Sequence, residues 1–296
     1  MTDDFMFAPR RTYTVPLAHG GVLPLGERTL VMGILNITPD SFAEPKALDT
    51  GAAVDAALGM EAEGADLLDI GGESTRPGAT PVSAVDELAR VLPVVQALAG
   101  RLRIPISIDT YKASVARAAV AEGAAIVNDI SGLRFDETLA GVVAETGAGL
   151  VLMHTRGRSG DMYAHATYAD VIDEVGGELE ESAQRALAAG VPTDRLILDP
   201  GIGFAKRAAH SYGVLARLHE IAARVDRPLL VGPSRKSFMS EALGGRRAVD
   251  RDWGTAAAVT AAVLGGAHIV RVHAVAEMVQ VVRVAEEIRR NQDFRN

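Results

Sequence analysis

The amino-acid sequence predicts an α/β fold, a (β/α)8 TIM barrel with an N-terminal β-hairpin extension. The chain has 296 residues, and from residue 30 onward short apolar runs alternate with longer segments of helical spacing. These runs number eight and are spaced nearly evenly. Eight strands, each followed by a helix, over roughly 250 residues are typical of this barrel. A doubly wound open sheet is the alternative, and the strand count and spacing favour the barrel.

The first 29 residues precede this alternation, so we predict an N-terminal extension at 1–29 and a barrel at 30–296. Within the extension, residues 12–16 and 22–25 flank the stretch His19-Gly20-Gly21. Two short runs around a glycine-containing turn predict a β-hairpin. We expect this hairpin to lie across one end of the barrel.

The eight predicted strands are residues 30–35, 67–70, 106–108, 125–128, 150–153, 196–198, 229–231 and 269–272. Apolar residues at spacings of three and four predict helices between them. Before one such helix Ser83 fits an N-cap, and Pro93 inside it predicts a kink. Residues 156–168 form the longest irregular piece, which we expect to be a mobile loop, and residues 275–288 predict the closing helix.

Composition and charge exclude several classes of function. The chain has no cysteine, which excludes disulfides, thiolate catalysis and cysteine-ligated zinc. His210, His219 and His268 have no companions at ligand spacing, which argues against a histidine zinc site. A net charge of -8 argues against nucleic acid as a partner, because phosphate binding needs a basic face. No apolar run approaches the ~18 residues of a membrane span, so we expect a cytoplasmic protein that binds no membrane.

One stretch, Asp69 to Ala79, indicates where a site lies. An apolar run ends in Gly71-Gly72, and a polar loop with the sequence Glu73-Ser74-Thr75-Arg76 follows before Pro77-Gly78 closes it. Glycines at a strand end let the backbone turn sharply or approach a ligand closely. Taken alone, the stretch also fits an ordinary solvated loop, but the other strand ends favour a binding site.

The carboxyl ends of barrel strands meet at one mouth, so the residues there are expected to lie together. Asp109, Asn128 and Asp199 end or follow three of the predicted strands and suit the edge of a flat heterocycle, because carboxylates accept hydrogen bonds and amides do both. Alone, Asp109 and Asp199 also fit helix N-caps. Side chains that can hold an anion lie at or just after the ends of other strands: Arg76, Arg235, Lys236, Arg271 and His273.

Blocks of this sequence resemble the dihydropteroate synthases, the folate-pathway enzymes that sulfonamides target. The matching blocks occur in the family's order from about residue 31 to the end of the chain. They include Asn36-Ile37-Thr38-Pro39-Asp40-Ser41, Asp69 to Ala79, Asp109-Thr110-Tyr111-Lys112, Asn128-Asp129, Met153-His154, Asp199-Pro200-Gly201, Ser234-Arg235-Lys236-Ser237 and Arg271-Val272-His273.

The resemblance implies a (β/α)8 barrel, a homodimer and a transferase reaction. Family members join 4-aminobenzoate to 6-hydroxymethyl-7,8-dihydropterin diphosphate with Mg2+, giving 7,8-dihydropteroate and diphosphate. By motif position, the resemblance implies catalytic roles for Asp109, Lys236, Arg271 and His273. It implies pterin contacts for Asp109, Asn128, Asp199 and Lys236, with Met153 also in the substrate site. It implies that Arg76, Arg271 and His273 contact the diphosphate. It implies that Thr75, Pro77 and Ser234 contact the aminobenzoate, with Phe204 nearby. Asn36 is implied as a Mg2+ ligand.

The chain departs from the family pattern at four places. Residues 43–46 read Ala-Glu-Pro-Lys where the family usually has Ser-Asp-Gly-Gly, which bears on loop closure and drug response. Ala205 replaces a usual glycine, and Pro233 precedes the Ser-Arg-Lys block where a small residue is commoner. Ala274 replaces a usual aspartate, so we expect His273 to lack an orienting partner.

Two other functions are compatible with a pterin barrel. The methyltetrahydrofolate-binding methyltransferases share the fold but lack the Ser-Thr-Arg-Pro-Gly loop and the cluster of cations, which are both present here. A pterin-binding protein without catalysis is the third possibility. Asn36, Arg76 and Arg271 are all retained, which argues against it.

Overall fold

The computed structural model describes residues 7, 10–38, 50–76 and 78–291. An antiparallel hairpin at the N-terminus is made of β1 (Tyr13–Pro16) and β2 (Val22–Leu25). A parallel sheet follows, with the strands β3 (Leu30–Asn36), β4 (Leu67–Gly71), β5 (Ile106–Asp109), β6 (Ile126–Asp129), β7 (Gly149–Met153), β8 (Leu196–Asp199), β9 (Leu230–Val231) and β10 (Ile269–Val272).

The parallel sheet closes on itself. Its strands are ordered β8-β7-β6-β5-β4-β3-β10-β9. The two end strands β8 and β9 meet at a parallel bridge between Leu198 and Leu229, and the Leu198 N–H donates to the carbonyl of Pro228 at 2.9 Å. The sheet is therefore a barrel, and the open-sheet alternative is wrong. The predicted strands agree with the observed ones to within one residue at each end.

Helices separate the barrel strands and cover them from outside. They are α1 (Thr50–Ala62), α2 (Ala84–Leu98), α3 (Ala113–Ala121), α4 (Leu139–Thr146), α5 (Val171–Ala188), α6 (Ala208–Ala216), α7 (Leu218–Val225), α8 (Asp252–Leu264) and α9 (Val275–Arg290). The predicted cap of α2 is confirmed, because Ser83 Oγ accepts a hydrogen bond from the Asp86 N–H at 3.1 Å. The helix α2 continues through Pro93.

The predicted hairpin is confirmed, and it covers the N-terminal end of the barrel. Its inward side chains Val15, Leu17, Leu23 and Leu25 are buried. They form one apolar cluster with residues from the barrel strands, including Leu30, Leu67, Ile126, Leu230 and Ile269. The hairpin thereby fills the end opposite the strand ends that carry the polar residues. The division into an extension and a barrel at residue 30 stays a prediction.

The irregular segment after β7 is anchored to the neighbouring helix. It contains a 3-10 turn at Met162–His165. Arg156 at its start pairs with Glu174 of α5 at 2.7 Å and also with Glu178. Its expected mobility stays a prediction.

No helix in the described part of the chain is both long and apolar enough to cross a membrane.

Leu17→Ala should destabilise the protein by about 2–5 kcal/mol, the usual effect of truncating a buried leucine to alanine. The control is Val22→Ala in the same hairpin, where the side chain is 62% exposed and the change should stay within about 0.5 kcal/mol. Denaturant unfolding measures both. Equal effects of the two substitutions would mean that the hairpin does not seal the barrel.

Candidate active site

Four buried or half-buried polar side chains meet near the carboxyl ends of the strands, and Arg271 of β10 is their centre. Its Nε donates to Asp69 Oδ2 at 2.6 Å, and its Nη2 donates to Asp109 Oδ2 at 2.7 Å. Asn128 Nδ2 donates to the same Asp69 oxygen at 2.9 Å. One guanidinium therefore joins two carboxylates from β4 and β5. Asp199 ends β8, where Met153 of β7 is its register partner.

Burial changes the protonation of the carboxyl groups. It raises the pKa of Asp109 to about 7, with Arg271 acting in the opposite direction and the Asp69 charge adding to the rise. Burial likewise raises the pKa of Asp199, and the Lys236 charge opposes it. A carboxyl that holds its proton near neutral pH can donate a hydrogen bond as well as accept one. This pair can thus match a ring edge that carries both donors and acceptors.

Lys236 lies between a carbonyl and an aromatic ring. Its Nζ donates to the carbonyl of Ile202 at 2.6 Å and lies 4.4 Å from the centroid of the Phe204 ring. Burial lowers the pKa of Lys236 to about 8, while Asp199 raises it. The ammonium is therefore mostly charged at neutral pH and is positioned beside Asp199. An aromatic face next to a cation suits the stacking of an electron-poor ring.

Asp69 begins the stretch Asp69 to Ala79, but the sequence did not predict a role for its own side chain. It is fully buried, and its second oxygen, Oδ1, has no hydrogen-bond partner among the residues that the structure describes. A carboxylate is rarely buried without partners, so this oxygen is a candidate acceptor for a ligand. The signal was present in the sequence, because an aspartate interrupts the apolar run Leu67-Leu68-Asp69-Ile70 of a buried strand.

His273 has an orienting partner, which corrects the expectation drawn from Ala274. The ring Nδ1 lies 2.9 Å from Ser234 Oγ, and the His273 N–H donates to that oxygen at 3.2 Å. Burial lowers the pKa of His273 to about 3, and the nearby charges of Arg271, Arg235 and Arg76 lower it further. His273 is therefore a neutral imidazole whose Nδ1 faces the Ser234 hydroxyl. The structure places Ser234 against this histidine.

Arg235 is paired with an acidic residue of α8. Its guanidinium forms a two-point ion pair with Asp252 of α8, with Nε and Nη2 each 2.7 Å from a carboxylate oxygen. Its backbone has a φ of 58°, in the left-handed region, and its N–H donates to Thr255 Oγ1 at 3.0 Å. The charge of Arg235 is thus largely neutralised. Arg76, by contrast, is exposed and forms no ion pair with any residue that the structure describes.

The loop after β4 is fixed at its base. Glu73 accepts hydrogen bonds from the Tyr111 hydroxyl at 3.0 Å, from Lys112 Nζ at 2.5 Å and from the Val82 N–H at 3.1 Å. Lys112 also pairs with buried Glu87 of α2. Between these anchors lie Ser74, Thr75 and Arg76. Pro77 and residues 39–49, which include 43–46, lie outside the described residues.

Asn36 is the one expected metal ligand. It ends β3 beside Gly71, at the start of the loop that carries Thr75 and Arg76. Across the described ranges, no group of three or more histidine and carboxylate side chains is arranged to hold a metal ion. The amide oxygen of Asn36 suits Mg2+, which prefers oxygen ligands and often takes most of them from a phosphate group and water. The site therefore fits a metal that arrives with an anionic ligand.

Comparison with known proteins decides the family. Residues 32–273 match the model of the pterin binding enzyme family. The dihydropteroate synthase of Synechocystis sp. is 46% identical over 275 residues, which cover 92% of this chain and 95% of the relative. The chain belongs to the dihydropteroate synthase family. This result confirms the resemblance and the enzyme class, and it favours the synthases over the methyltransferases.

Solved structures of dihydropteroate synthases agree with the fold. The Yersinia pestis enzyme in a sulfonamide drug complex has a TM-score of 0.87 and 41% identity, covering 92% of this chain and 98% of that one. The Burkholderia cenocepacia enzyme complexed with 7,8-dihydropteroate has a TM-score of 0.85 and 42% identity, covering 96% and 99%. The predicted barrel of a folate-pathway transferase is thus confirmed.

We expect Asp109 to make the empty protein less stable as pH rises. Between its ordinary pKa of 3.8 and its folded pKa of about 7, the folded state keeps a proton that the unfolded chain loses, so stability falls with pH across this window. Each unit by which the folded pKa exceeds the unfolded pKa lowers the free energy of unfolding by about 1.4 kcal/mol at pH values above both pKa values. Asp109→Asn should remove most of this fall, as measured by urea unfolding at pH 5 and pH 8.

Asp136→Asn is the control for this prediction. Burial raises the pKa of Asp136, but hydrogen bonds from the Ala113 and Thr138 N–H groups and from the Thr138 hydroxyl outweigh this effect and lower it. The contribution of Asp136 to folding stability is therefore lost as pH falls, which is opposite in sign to the effect of Asp109. Parallel pH profiles for the parent protein and Asp109→Asn would show that Asp109 is ionised in the folded state.

Proposed function

We propose that the mouth of the barrel condenses 6-hydroxymethyl-7,8-dihydropterin diphosphate with 4-aminobenzoate, giving 7,8-dihydropteroate and diphosphate. The observation that carries the proposal is the buried group of Asp69, Asp109, Asn128 and Arg271 next to Lys236 and Phe204. This group offers hydrogen-bond donors and acceptors to a heterocycle, and cations lie at the edge of the group. It lies at the carboxyl ends of the strands, where barrel enzymes have their active sites.

The pterin edge would be read by Asp109, Asn128 and Asp199. A pterin carries an amino group, ring nitrogens and a carbonyl on one edge, so it needs acceptors and donors in alternation. Asp109 and Asp199 have raised pKa values from burial, and either can take the protonation state that the ring requires. Lys236 and Phe204 would then hold one face of the ring, with Met153, which is 3% exposed, forming part of the wall.

The reaction needs charge of both signs. Departure of diphosphate leaves an electron-poor pterin methylene, which the negative charge of Asp69, Asp109 and Asp199 would stabilise when these groups are ionised. The leaving diphosphate would be held by Arg76, by the free N–H groups of Arg271 and by His273. Asn36 would hold Mg2+, which supplies charge neutralisation on the diphosphate when it is bound.

4-Aminobenzoate would enter from the side of the loop after β4. Its amine lone pair is already available, so no strong general base is needed for the attack on the methylene. Thr75 and Pro77 belong to this loop, and Phe204 lies beside Lys236 at the pterin side. Ser234 would act here chiefly through His273, to which it is hydrogen-bonded.

We also propose a homodimer, as the family resemblance implies. Trp253 at the start of α8 is 90% exposed, and Val249 just before it is 58% exposed. An exposed tryptophan with an apolar neighbour is typical of a surface that another chain covers.

Cytoplasmic residence stays a prediction that rests on the cysteine-free composition.

Asp199→Asn and Lys236→Ala should each reduce turnover by at least ~100-fold without unfolding the chain, because lost polar contacts in a buried pocket amount to a few kcal/mol and each 1.4 kcal/mol is tenfold. Diphosphate release with both substrates present measures the rate. Asp194→Asn, the same change at an exposed residue just before β8, is the control and should leave turnover unchanged.

An unchanged rate in Asp199→Asn or Lys236→Ala would remove that residue from the site. If the parent chain bound a pterin but released no diphosphate, the chain would be a pterin-binding protein without catalysis, and the proposed reaction would be wrong.

Sulfonamides and 4-aminobenzoate should bind measurably only when diphosphate, or the pterin diphosphate, is already present. The loop between Glu73 and Val82 is anchored at its base, but the exposed Arg76 side chain forms no ion pair with any described residue, so we expect a bound anion to order this segment. Titration of sulfamethoxazole with and without diphosphate plus pterin measures this effect. Equal affinity under both conditions would mean that the aminobenzoate pocket is already formed in the empty protein.

A further inference from the structure

Lys206 is a buried lysine that the reaction described above does not use. It follows β8 at the end of the loop 200–207, and only 1% of its surface is exposed. An ammonium in such a place is unfavourable unless its hydrogen bonds are satisfied. Burial lowers the pKa of Lys206 well below its usual value, and the charge of Asp199 opposes this effect. The side chain is retained in the core despite this penalty, so its contacts need an explanation.

Three hydrogen-bond partners surround the side-chain nitrogen of Lys206. Its Nζ lies 2.8 Å from His154 Nδ1, 3.2 Å from the carbonyl of Gly201 and 3.3 Å from the carbonyl of Phe204. The His154 ring has its other nitrogen, Nε2, 3.3 Å from a Glu178 oxygen. Burial lowers the pKa of His154 to about 3, so the ring is neutral and Nδ1 can accept from the ammonium. The three partners of this nitrogen thus all belong to the protein.

Two of these acceptors belong to the backbone of the loop that Lys206 ends. This loop has left-handed residues at alternate positions, with φ values of 68° at Gly201, 78° at Gly203 and 47° at Ala205. Alternation of this kind turns successive carbonyls in different directions, and the buried ones need donors. The ammonium of Lys206 connects the beginning of the loop to its end and supplies those donors.

The same loop forms the support of Lys236. The carbonyl of Ile202 accepts from Lys236 Nζ at 2.6 Å, and the Phe204 ring lies under that ammonium. The fit is close, since a Cβ added at Gly203 would lie 3.1 Å from Lys236 Cδ. Of the two carbonyls that Lys206 holds, one belongs to Phe204 itself and the other to Gly201, the neighbour of Ile202. A shift of either carbonyl would move the groups that position Lys236.

We infer that Lys206 is a positioning residue for Lys236. Lys206 holds the loop 200–207 in the conformation in which the Ile202 carbonyl and the Phe204 ring contact the Lys236 ammonium. The inference rests on the proposed role of Lys236 in binding the pterin. Lys206 touches no substrate, because its ammonium faces His154 and the inner side of the loop. The charges of Lys206 and Asp199 also act on each other, so the effect of Lys206 on the reaction passes chiefly through Lys236.

A double-mutant cycle tests this inference, with 6-hydroxymethylpterin as the probe and calorimetry on the full chain. Lys206→Met keeps the length of the side chain and removes its donors. We expect it to weaken pterin binding by about tenfold, and Lys236→Met to weaken binding at least as much. In the double variant, Lys206→Met should add no more than about a twofold loss, because the residue through which it acts is gone.

The control is Thr29→Val, a nearly isosteric change that removes a buried hydroxyl at the opposite end of the barrel. Thr29 Oγ1 donates to Glu286 at 2.6 Å and contacts the carbonyl of Ala267 at 3.0 Å. This variant should lose stability with no change in pterin affinity. If Lys206→Met does not fold, Lys206→Gln replaces it in the cycle. Its amide keeps two donors for the loop carbonyls, so it should restore part of the pterin affinity.

The outcomes separate the two proposals. Equal losses from Lys206→Met in both backgrounds, or unchanged affinity in a folded Lys206→Met protein, would overturn the positioning role and leave the role of Lys236 intact. Where Lys206→Gln replaces it, equal losses in both backgrounds would overturn the role in the same way. Unchanged affinity in Lys236→Met would overturn the pterin contact proposed for Lys236, and the inference about Lys206 with it.

Discussion

The ion pairs of Arg271 with Asp69 and Asp109 are the interaction on which the candidate site depends. Three strands, β4, β5 and β10, contribute these groups, and the closed barrel brings them within hydrogen-bond distance. Burial raises the pKa of Asp109, the guanidinium opposes this rise, and the Asp69 charge adds to it. If Arg271 were absent, two neighbouring carboxylates would face each other in the core, which is strongly unfavourable unless one is protonated.

This arrangement explains how an acidic protein can bind an anion. The net charge is -8, but the mouth concentrates its cations at one edge. Arg271 is joined to two carboxylates and Arg235 to Asp252, so their charges are already balanced in the empty site. Arg76 and Lys236 remain to balance incoming charge, with His273 as a neutral hydrogen-bonding group. The heterocycle and the anion would thus be met by different chemical groups on adjacent strands.

The sequence was sufficient for the barrel because its signals are local. A buried parallel strand is a short apolar run, and this chain has eight such runs, of which even β9, with two residues in regular pairing, was recognised. The strand ends pointed to Asp109, Asn128 and Asp199 for the same reason.

Pairings between distant segments could not be predicted. The contact of Ser234 with His273 and the ion pair of Arg235 with Asp252 depend on side-chain directions that only the closed barrel fixes. Asp69 and Lys206 were missed because a single charged residue in an apolar or glycine-rich stretch does not reveal its partner.

The most direct test of this account is a crystal structure of the chain with 7,8-dihydropteroate. The account predicts that the pterin edge lies within hydrogen-bond distance of Asp109, Asn128 and Asp199, that Lys236 stays on the Ile202 carbonyl beside the ring, and that Arg271 still joins Asp69 to Asp109. A pterin bound elsewhere, or an Arg271 released from both carboxylates, would contradict it.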